Sequence, residues 1–454
     1  MMFKAKLERG TVNMIKKTFS AAGCTLLAAS LLVTACASKT GEGTSKPQEG
    51  AQASAITKPV ELNFYHNAGI LPEQFEQQFG SLIKTKLPNV TVNFIPKDKT
   101  VQLSEMIASG TTQIDIFIDS IGQIGLKGSL LDIGLHTDIS ELVKKHNIDL
   151  NRFDPTTLDA IKVMGGLYGL PISNSTMVIM YNKDIFDKFG VAYPKDGMTW
   201  DELAEISKKL TRNDGGVDFV GYSTSLNHYL RMNPLSLVNV DPASKKAAFN
   251  DQWKKLLQES VLNQMQGETY KKVVADLSKM WYKIPYTDEF NKNRNVAMFS
   301  FMYGDYPWLK EMNYDFVSLP AFKDTPKVGS QSYPTYMFVT STSEKKDAAM
   351  EVIKLFISDE YQTSFSKSGG ITSLKSDAIK QVFGQDTQMK DKNIKNAVFF
   401  NRPAAATTKT KYDTFVEGAI LSKLPSLING SNDLNTVLRT AEEEVNKKIE
   451  ADAK

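Results

Sequence analysis

Cysteine is almost absent: the 454-residue sequence holds two, Cys24 and Cys36, both near the N-terminus. A disulfide framework, a Cys-based metal site and a cysteine nucleophile are therefore excluded from most of the chain. Histidine is also scarce, with only four residues, His66, His136, His146 and His228, and no two of them stand at i, i+4. H-E-x-x-H is absent, which removes the usual helical zinc site. G-x-S-x-G, G-x-x-x-x-G-K-[ST] and G-x-G-x-x-G after a strand are missing too, so no nucleophile elbow, phosphate loop or dinucleotide fingerprint is encoded. A net charge of +3 and the lack of a basic, aromatic-interleaved stripe leave no case for nucleic acid. No fixed-period repeat occurs. Acidic residues are plentiful, so a glycosidase pair survives the count; Asp115 and Asp119 simply flank a strand.

An uncharged stretch runs from Thr18 to Ser38, behind Lys16 and Lys17. Its continuous apolar part falls short of the roughly 20 residues a membrane span needs. It closes on Leu31-Leu32-Val33-Thr34-Ala35-Cys36, which is similar to the lipobox of bacterial lipoproteins. The expectation is a lipoprotein signal peptide over residues 1–35, better headed by Met14 than by Met1, and lipidation of Cys36. One acyl chain binds a membrane only marginally, so lasting attachment takes two or three. Residues 36–58 are Ser, Gly, Thr, Gln, Glu, Lys and Pro with little to bury, a flexible tether.

About 395 residues remain, too many for one core, so two domains are expected. Val60, Leu62 and Phe64 alternate with polar neighbours as a strand does, and so do Val90, Val92 and Phe94. Phe75, Phe79, Leu82 and Ile83 form a helical stripe between them. Thr100–Ser109 reads as a helix ended by Gly110, and Ile114–Ile118 as an apolar strand. A second series starts near Gly169, with a strand over Met177–Tyr181 and a short helix stopped by Gly190. Thr199 and Glu202 have capping-box spacing ahead of Leu203, Ile206 and Leu210. Val296–Phe301 reads as a buried strand. Ala349, Val352, Ile353 and Phe356 mark a helix after Ser343, and Leu434 to Ile449 a long final one. Strands alternating with helices predict an α/β fold with parallel sheets.

Aromatic residues beside chain-breakers are the strongest chemical signal. Tyr303-Gly304-Asp305-Tyr306-Pro307-Trp308 packs three rings, a carboxylate, a glycine and a proline together, and Tyr333-Pro334-Thr335-Tyr336 adds two rings. Rings in turns are poorly explained as core. They suit stacking on the apolar face of a sugar, with Asp, Asn and Ser reaching its hydroxyls.

The run Gly166-Leu167-Tyr168-Gly169-Leu170-Pro171-Ile172-Ser173-Asn174-Ser175, then Ile179 to Phe186, then Tyr193-Pro194 and Met198 to Leu203, resembles the extracellular solute-binding proteins of ABC importers. The resemblance is to the large carbohydrate-type class that includes maltose-binding protein. Asp115-Ile116-Phe117, Val296 to Trp308, Phe316 to Pro320, Ser343 to Ala349 and Ser358 to Gln362 follow in the family's order.

The resemblance implies a two-lobed periplasmic-binding-protein-like fold of type II. Each lobe would be a mainly parallel sheet flanked by helices, joined by a multi-strand hinge with the ligand in the cleft. Lobe 1 would comprise 59–172 plus 318–358, and lobe 2 would comprise 173–317 plus 359–454. It implies ligand-binding roles for His66, Asn67, Asp119, Ser120, Ser173, Asn174, Tyr303, Asp305, Trp308, Tyr333 and Tyr336. Relatives often read Gly-Xaa-Trp where this chain has Gly304-Asp305-Tyr306-Pro307-Trp308, which leaves open which ring faces the ligand. The implied function is that of an extracytoplasmic, lipid-anchored binding protein from a Gram-positive cell. It captures a carbohydrate, an oligosaccharide by expectation, and hands it to the transmembrane subunits of an ABC permease. No cofactor, metal, nucleic acid or catalysis is expected, and a monomer is. The alternatives are a peptide, polyamine or acidic sugar ligand, with Arg231 or Arg294 as anchor, and a lipoprotein glycosidase.

Overall fold

The computed structural model describes residues 56–453 apart from 99, 111 and 248. The signal segment, Cys36 and the tether up to residue 55 lie outside the described residues. Strands are numbered β1 (Val60–His66), β2 (Val90–Ile95), β3 (Ile116–Ser120), β4 (Gly169–Ser173), β5 (Met177–Asn182), β6 (Arg212–Asp214), β7 (Val217–Thr224), β8 (Val296–Met302), β9 (Tyr314–Ser318), β10 (Val328–Gln331), β11 (Thr335–Val339) and β12 (Arg402–Ala404).

Two five-stranded sheets organise these residues, in the orders β2-β1-β3-β11-β4 and β6-β7-β8-β5-β9, with a small β10-β12 pair besides. In the first, β1 pairs in parallel with β2 and β3, Phe64 standing opposite Phe94 and Ile116. The alternation in the sequence sets this register: Leu62 and Phe64 are fully buried between the sheet and its helices. Both sheets are mixed rather than mainly parallel. β11 runs antiparallel to β3 and β4, and β5 antiparallel to β8 and β9. The cause is topological. β5 enters the second sheet only three residues after β4 leaves the first, and β11 enters the first sheet from the opposite side. A strand that starts at the end where its neighbours finish must run against them.

Local signals decide the helices. Thr199 accepts from the Glu202 amide at 3.3 Å while the Glu202 carboxylate accepts from the Thr199 amide at 2.7 Å, so the capping box forms and starts helix Trp200–Leu210. Gly190 ends helix Lys183–Phe189 in the left-handed region at φ 64°. Helix Lys346–Phe356 buries Ala349, Val352, Ile353 and Phe356, and the last helix, Leu434–Asp452, buries Val437, Leu438, Ala441, Val445 and Ile449. The stripe after Pro72 is broken into helix Pro72–Phe75, a π-turn Glu76–Gly80 and helix Ser81–Lys86. Among the described residues no helix is long and apolar enough to cross a membrane, and no cluster of His, Cys, Asp and Glu could hold a metal.

Candidate ligand cleft

β1, β3 and β4 finish at one end of the first sheet, where β11 begins. Carboxyl ends of strands are where open sheets hold ligands. His66, Asn67, Asp119, Ser120, Ser173 and Asn174 all arrive there. Asn67 is the hub. Its amide nitrogen donates to Asp119 Oδ2 at 2.7 Å and to Ser129 Oγ at 3.1 Å, while Ser129 donates to the same Asp119 oxygen at 2.8 Å. Lys97 Nζ donates to the Asn67 carbonyl at 2.8 Å. Burial pushes the Asp119 carboxyl up to about 6 against the lowering effect of its hydrogen-bond donors. Burial likewise holds His66 down at about 4, a neutral ring at physiological pH. Beside this cluster lies a cavity of about 510 Å³ lined by Asn67, Lys97, Gln102, Gln123 and Ser129.

Tyr333, in the link between β10 and β11, stands at this end. Its ring lies over Gly122, where a Cβ would stand 2.2 Å from the tyrosine hydroxyl, so only glycine lets it approach. That hydroxyl is held between Ser120 and Arg231. The Tyr333 amide donates to Asn174 Oδ1 at 3.0 Å, which fixes the residue to the strand crossing. Arg231 is itself clamped by Glu417, Nε to Oε1 at 2.6 Å and Nη2 to Oε2 at 2.7 Å, and Glu417 is 3 % exposed at its side chain. Lys409 Nζ caps the Arg231 carbonyl at 2.6 Å; burial pulls this lysine down to about 8. Arg231, Lys409, Asp413 and Glu417 thus form a buried, charge-balanced group.

An aromatic face stands at the end of β8. Tyr306 and Trp308 stack with centroids 5.1 Å apart and planes 8° apart. Phe301 contacts Tyr306 at 5.3 Å and Tyr286 at 6.1 Å. The Tyr286 hydroxyl shares Ser225 Oγ with His228, at 3.1 Å and 2.7 Å. Planar rings beside hydroxyl and amide groups provide what a pyranose needs, an apolar platform and directional partners.

Three sequence-predicted residues fall elsewhere. Tyr336 is fully buried with its hydroxyl on the Thr157 carbonyl at 2.5 Å, because alternation along β11 turns it into the sheet core. Tyr303 packs on Phe316 and Phe383 at 5.9 and 5.5 Å. Asp305 is exposed and accepts from Gln388. The hydroxyl of Tyr303 is buried and has no hydrogen-bond partner among the described residues. Trp308 remains on the aromatic face. Ser173 ends β4 opposite Thr335, and Asn174 also borders a second cavity of about 460 Å³ with Thr176, Ser330, Ser332 and Asn401.

The residue list drawn from the sequence omitted Lys97, Ser129, Tyr286, Phe301 and Tyr306, although Tyr306 belongs to the aromatic turn singled out there. Two more were signalled. Lys97 closely follows β2, as the carboxyl-end rule requires, and Tyr286 follows Pro285, the same ring-beside-breaker pattern used for Trp308. Ser129 carried no signal, since a ten-residue excursion returns it to Asp119.

A family model described as bacterial extracellular solute-binding protein matches residues 69–363. The ABC substrate-binding protein of Listeria monocytogenes in complex with cycloalternan superposes with a TM-score of 0.67 at 19% identity, covering 86% of this chain and 99% of that one. At that identity the likeness shows the fold. A Brucella abortus binding protein is 33% identical over 127 residues, which is 27% of this chain and 29% of the relative. The arabinooligosaccharide-binding protein of Bacillus subtilis is 31% identical over 133 residues, 29% of each chain. The matched stretches thus span under a third of these curated relatives.

Proposed function

The chain belongs to the bacterial extracellular solute-binding proteins, and we propose that within this family it captures a carbohydrate, an oligosaccharide, for an ABC importer. The observation that carries the reading is the junction at Tyr333. One buried tyrosine binds Asn174 at the end of the first sheet and faces Arg231, on the helix Leu226–Arg231 whose His228 packs on Phe301 of the aromatic face. Relatives whose names specify cycloalternan and arabinooligosaccharide support the same ligand class. Arg231 is already neutralised by Glu417, which argues against an acidic anchor there.

In this reading the lobes comprise 59–172 plus 318–358 and 173–317 plus 359–454, with the hinge at the crossings between the sheets. Ligand favours the closed arrangement because only there does it touch both faces. Turning a 1:99 population into 99:1 takes about 5.5 kcal/mol of differential affinity. The protein is a binder rather than an enzyme, acts as a monomer and passes its sugar to permease subunits. Lipidated Cys36 and the tether hold it outside the membrane of a Gram-positive cell.

A thermal-shift screen against monosaccharides, oligosaccharides, peptides, polyamines and uronates tests the ligand class. A ligand at 100 times its Kd stabilises by about 2.7 kcal/mol. Shifts confined to neutral oligosaccharides are expected. Shifts only with another class, or sustained polysaccharide hydrolysis by the purified protein, would overturn the reading.

A further inference from the structure

The aromatic face continues past Tyr286. Beyond Tyr286 stands Trp281, its ring centroid 5.1 Å from that of Tyr286 and the planes 69° apart. Trp281, Tyr286, Phe301, Tyr306 and Trp308 thus make a row, with successive centroids 5.1, 6.1, 5.3 and 5.1 Å apart. No ring in the row is fully buried, and Trp281 is 63 % exposed.

We propose that this row is an extended sugar platform with Trp281 as its outer subsite, and that the ligand is a linear glycan longer than a disaccharide. The proposal rests on the carbohydrate reading given above and specifies its substrate class. Trp281 is unusual among the tryptophans. Trp200 and Trp253 are 1 % exposed and belong to the core. Trp281 instead presents its indole to solvent while two neighbours fix it: Tyr282 meets it edge-on at 5.3 Å and 85°, and Tyr286 lies on the other contact. An exposed but pinned indole has little conformational freedom to lose when a sugar stacks on it. Polar partners flank both ends of the row. Asn227 Oδ1 is buried without a hydrogen-bond partner among the described residues and borders the same small cavity as Trp281, Ser225 and Tyr286. At the other end a hollow of about 630 Å³ places Thr287, Asn291 and Arg294 beside Trp308. Rings in the middle and hydrogen-bonding groups along the rim match a glycan lying lengthwise.

The test measures Kd for manno-, malto- and arabino-oligosaccharides, from disaccharide to hexasaccharide, on the mature protein and on Trp281→Ala. Affinity of the native protein is expected to rise with length beyond the disaccharide. Trp281→Ala is expected to lose roughly 3- to 10-fold on the longest binding sugar and nothing on the disaccharide, with Trp281→Tyr restoring most of the loss. Because Trp200 and Trp253 are buried, a ligand-induced change in tryptophan fluorescence reports chiefly on Trp281 and Trp308. Equal Kd values for variant and native protein at every length overturn the subsite alone, and so does an equal loss at every length. Native protein that binds none of the sugars overturns the carbohydrate reading and the subsite with it.

Discussion

Protonation of His66 is expected to weaken the fold as the pH falls from 7.5 to 5. The His66 ring is partly buried at the end of β1, its centroid 6.2 Å from that of Phe79, and burial holds its pKa at about 4 instead of the ordinary 6.5. Between those values the unfolded chain takes a proton that the folded protein refuses. Stability is therefore full above pH 6.5, falls as pH drops toward 4, and is flat below. At pH 5, about 1.5 pH units under the unfolded value, the loss reaches about 2 kcal/mol. His228 is held at about 4 by burial and by Arg231, and adds a similar loss. Asp119 works the other way. Its folded pKa of about 6 lies above the ordinary 3.8, so the folded carboxyl takes up its proton first. Acidification to pH 5 thereby returns about 1 kcal/mol. The three groups together leave a net loss of about 2–3 kcal/mol. Urea unfolding of native protein and His66→Gln at both pH values isolates the histidine, since all other groups are shared. The pH-dependent loss should shrink by about 2 kcal/mol in the variant, whatever the substitution does at pH 7.5. Identical losses in the two proteins would refute the burial argument for His66.

Glu417→Ala leaves the Arg231 guanidinium without its bidentate partner and should cost about 3–5 kcal/mol in chemical unfolding. Replacing both at once, Arg231→Met with Glu417→Leu, should cost much less, and additive losses would mean that the pair is not coupled. Gly122→Ala puts a methyl group 2.2 Å from the Tyr333 hydroxyl, so the ring must move. A loss of about 1–3 kcal/mol is expected, together with weaker sugar binding; unchanged stability would mean that the ring yields freely. Cys36→Ser should move the protein from the membrane fraction to the medium, and continued attachment would point to an anchor other than the lipid.

Much of the candidate site was legible because strand ends are legible. Asn67 and Asp119 close apolar runs, and the carboxyl-end rule sends both to one place. Tyr336 shows the limit of that logic. A ring beside a proline in the sequence counts as a turn residue until β11 extends over it, and then alternation buries it. Tyr303 and Trp308 lie five positions apart in one aromatic turn, yet one ring packs on Phe383 and the other on Tyr306. Composition cannot separate them, because the choice depends on residues 80 positions away.

By itself the sequence determined what the chain is made to build. Hydrophobic alternation, helical stripes and the Thr199–Glu202 cap are local, so they specify strands, helices and the α/β class without reference to partners. The scarcity of cysteine and histidine and the lack of a phosphate-loop motif excluded disulfide, helical zinc and phosphate-loop chemistry on the same local footing. Tertiary structure alone decided which side chains share a space. The direction of β5 and β11 follows from the crossings between sheets, and the meeting of Tyr333 with Arg231, or of Trp281 with the row leading to Trp308, depends on chain segments that are distant in sequence. Local pattern fixes conformation, whereas a binding surface is a property of packing between elements, and packing is set by the whole chain at once.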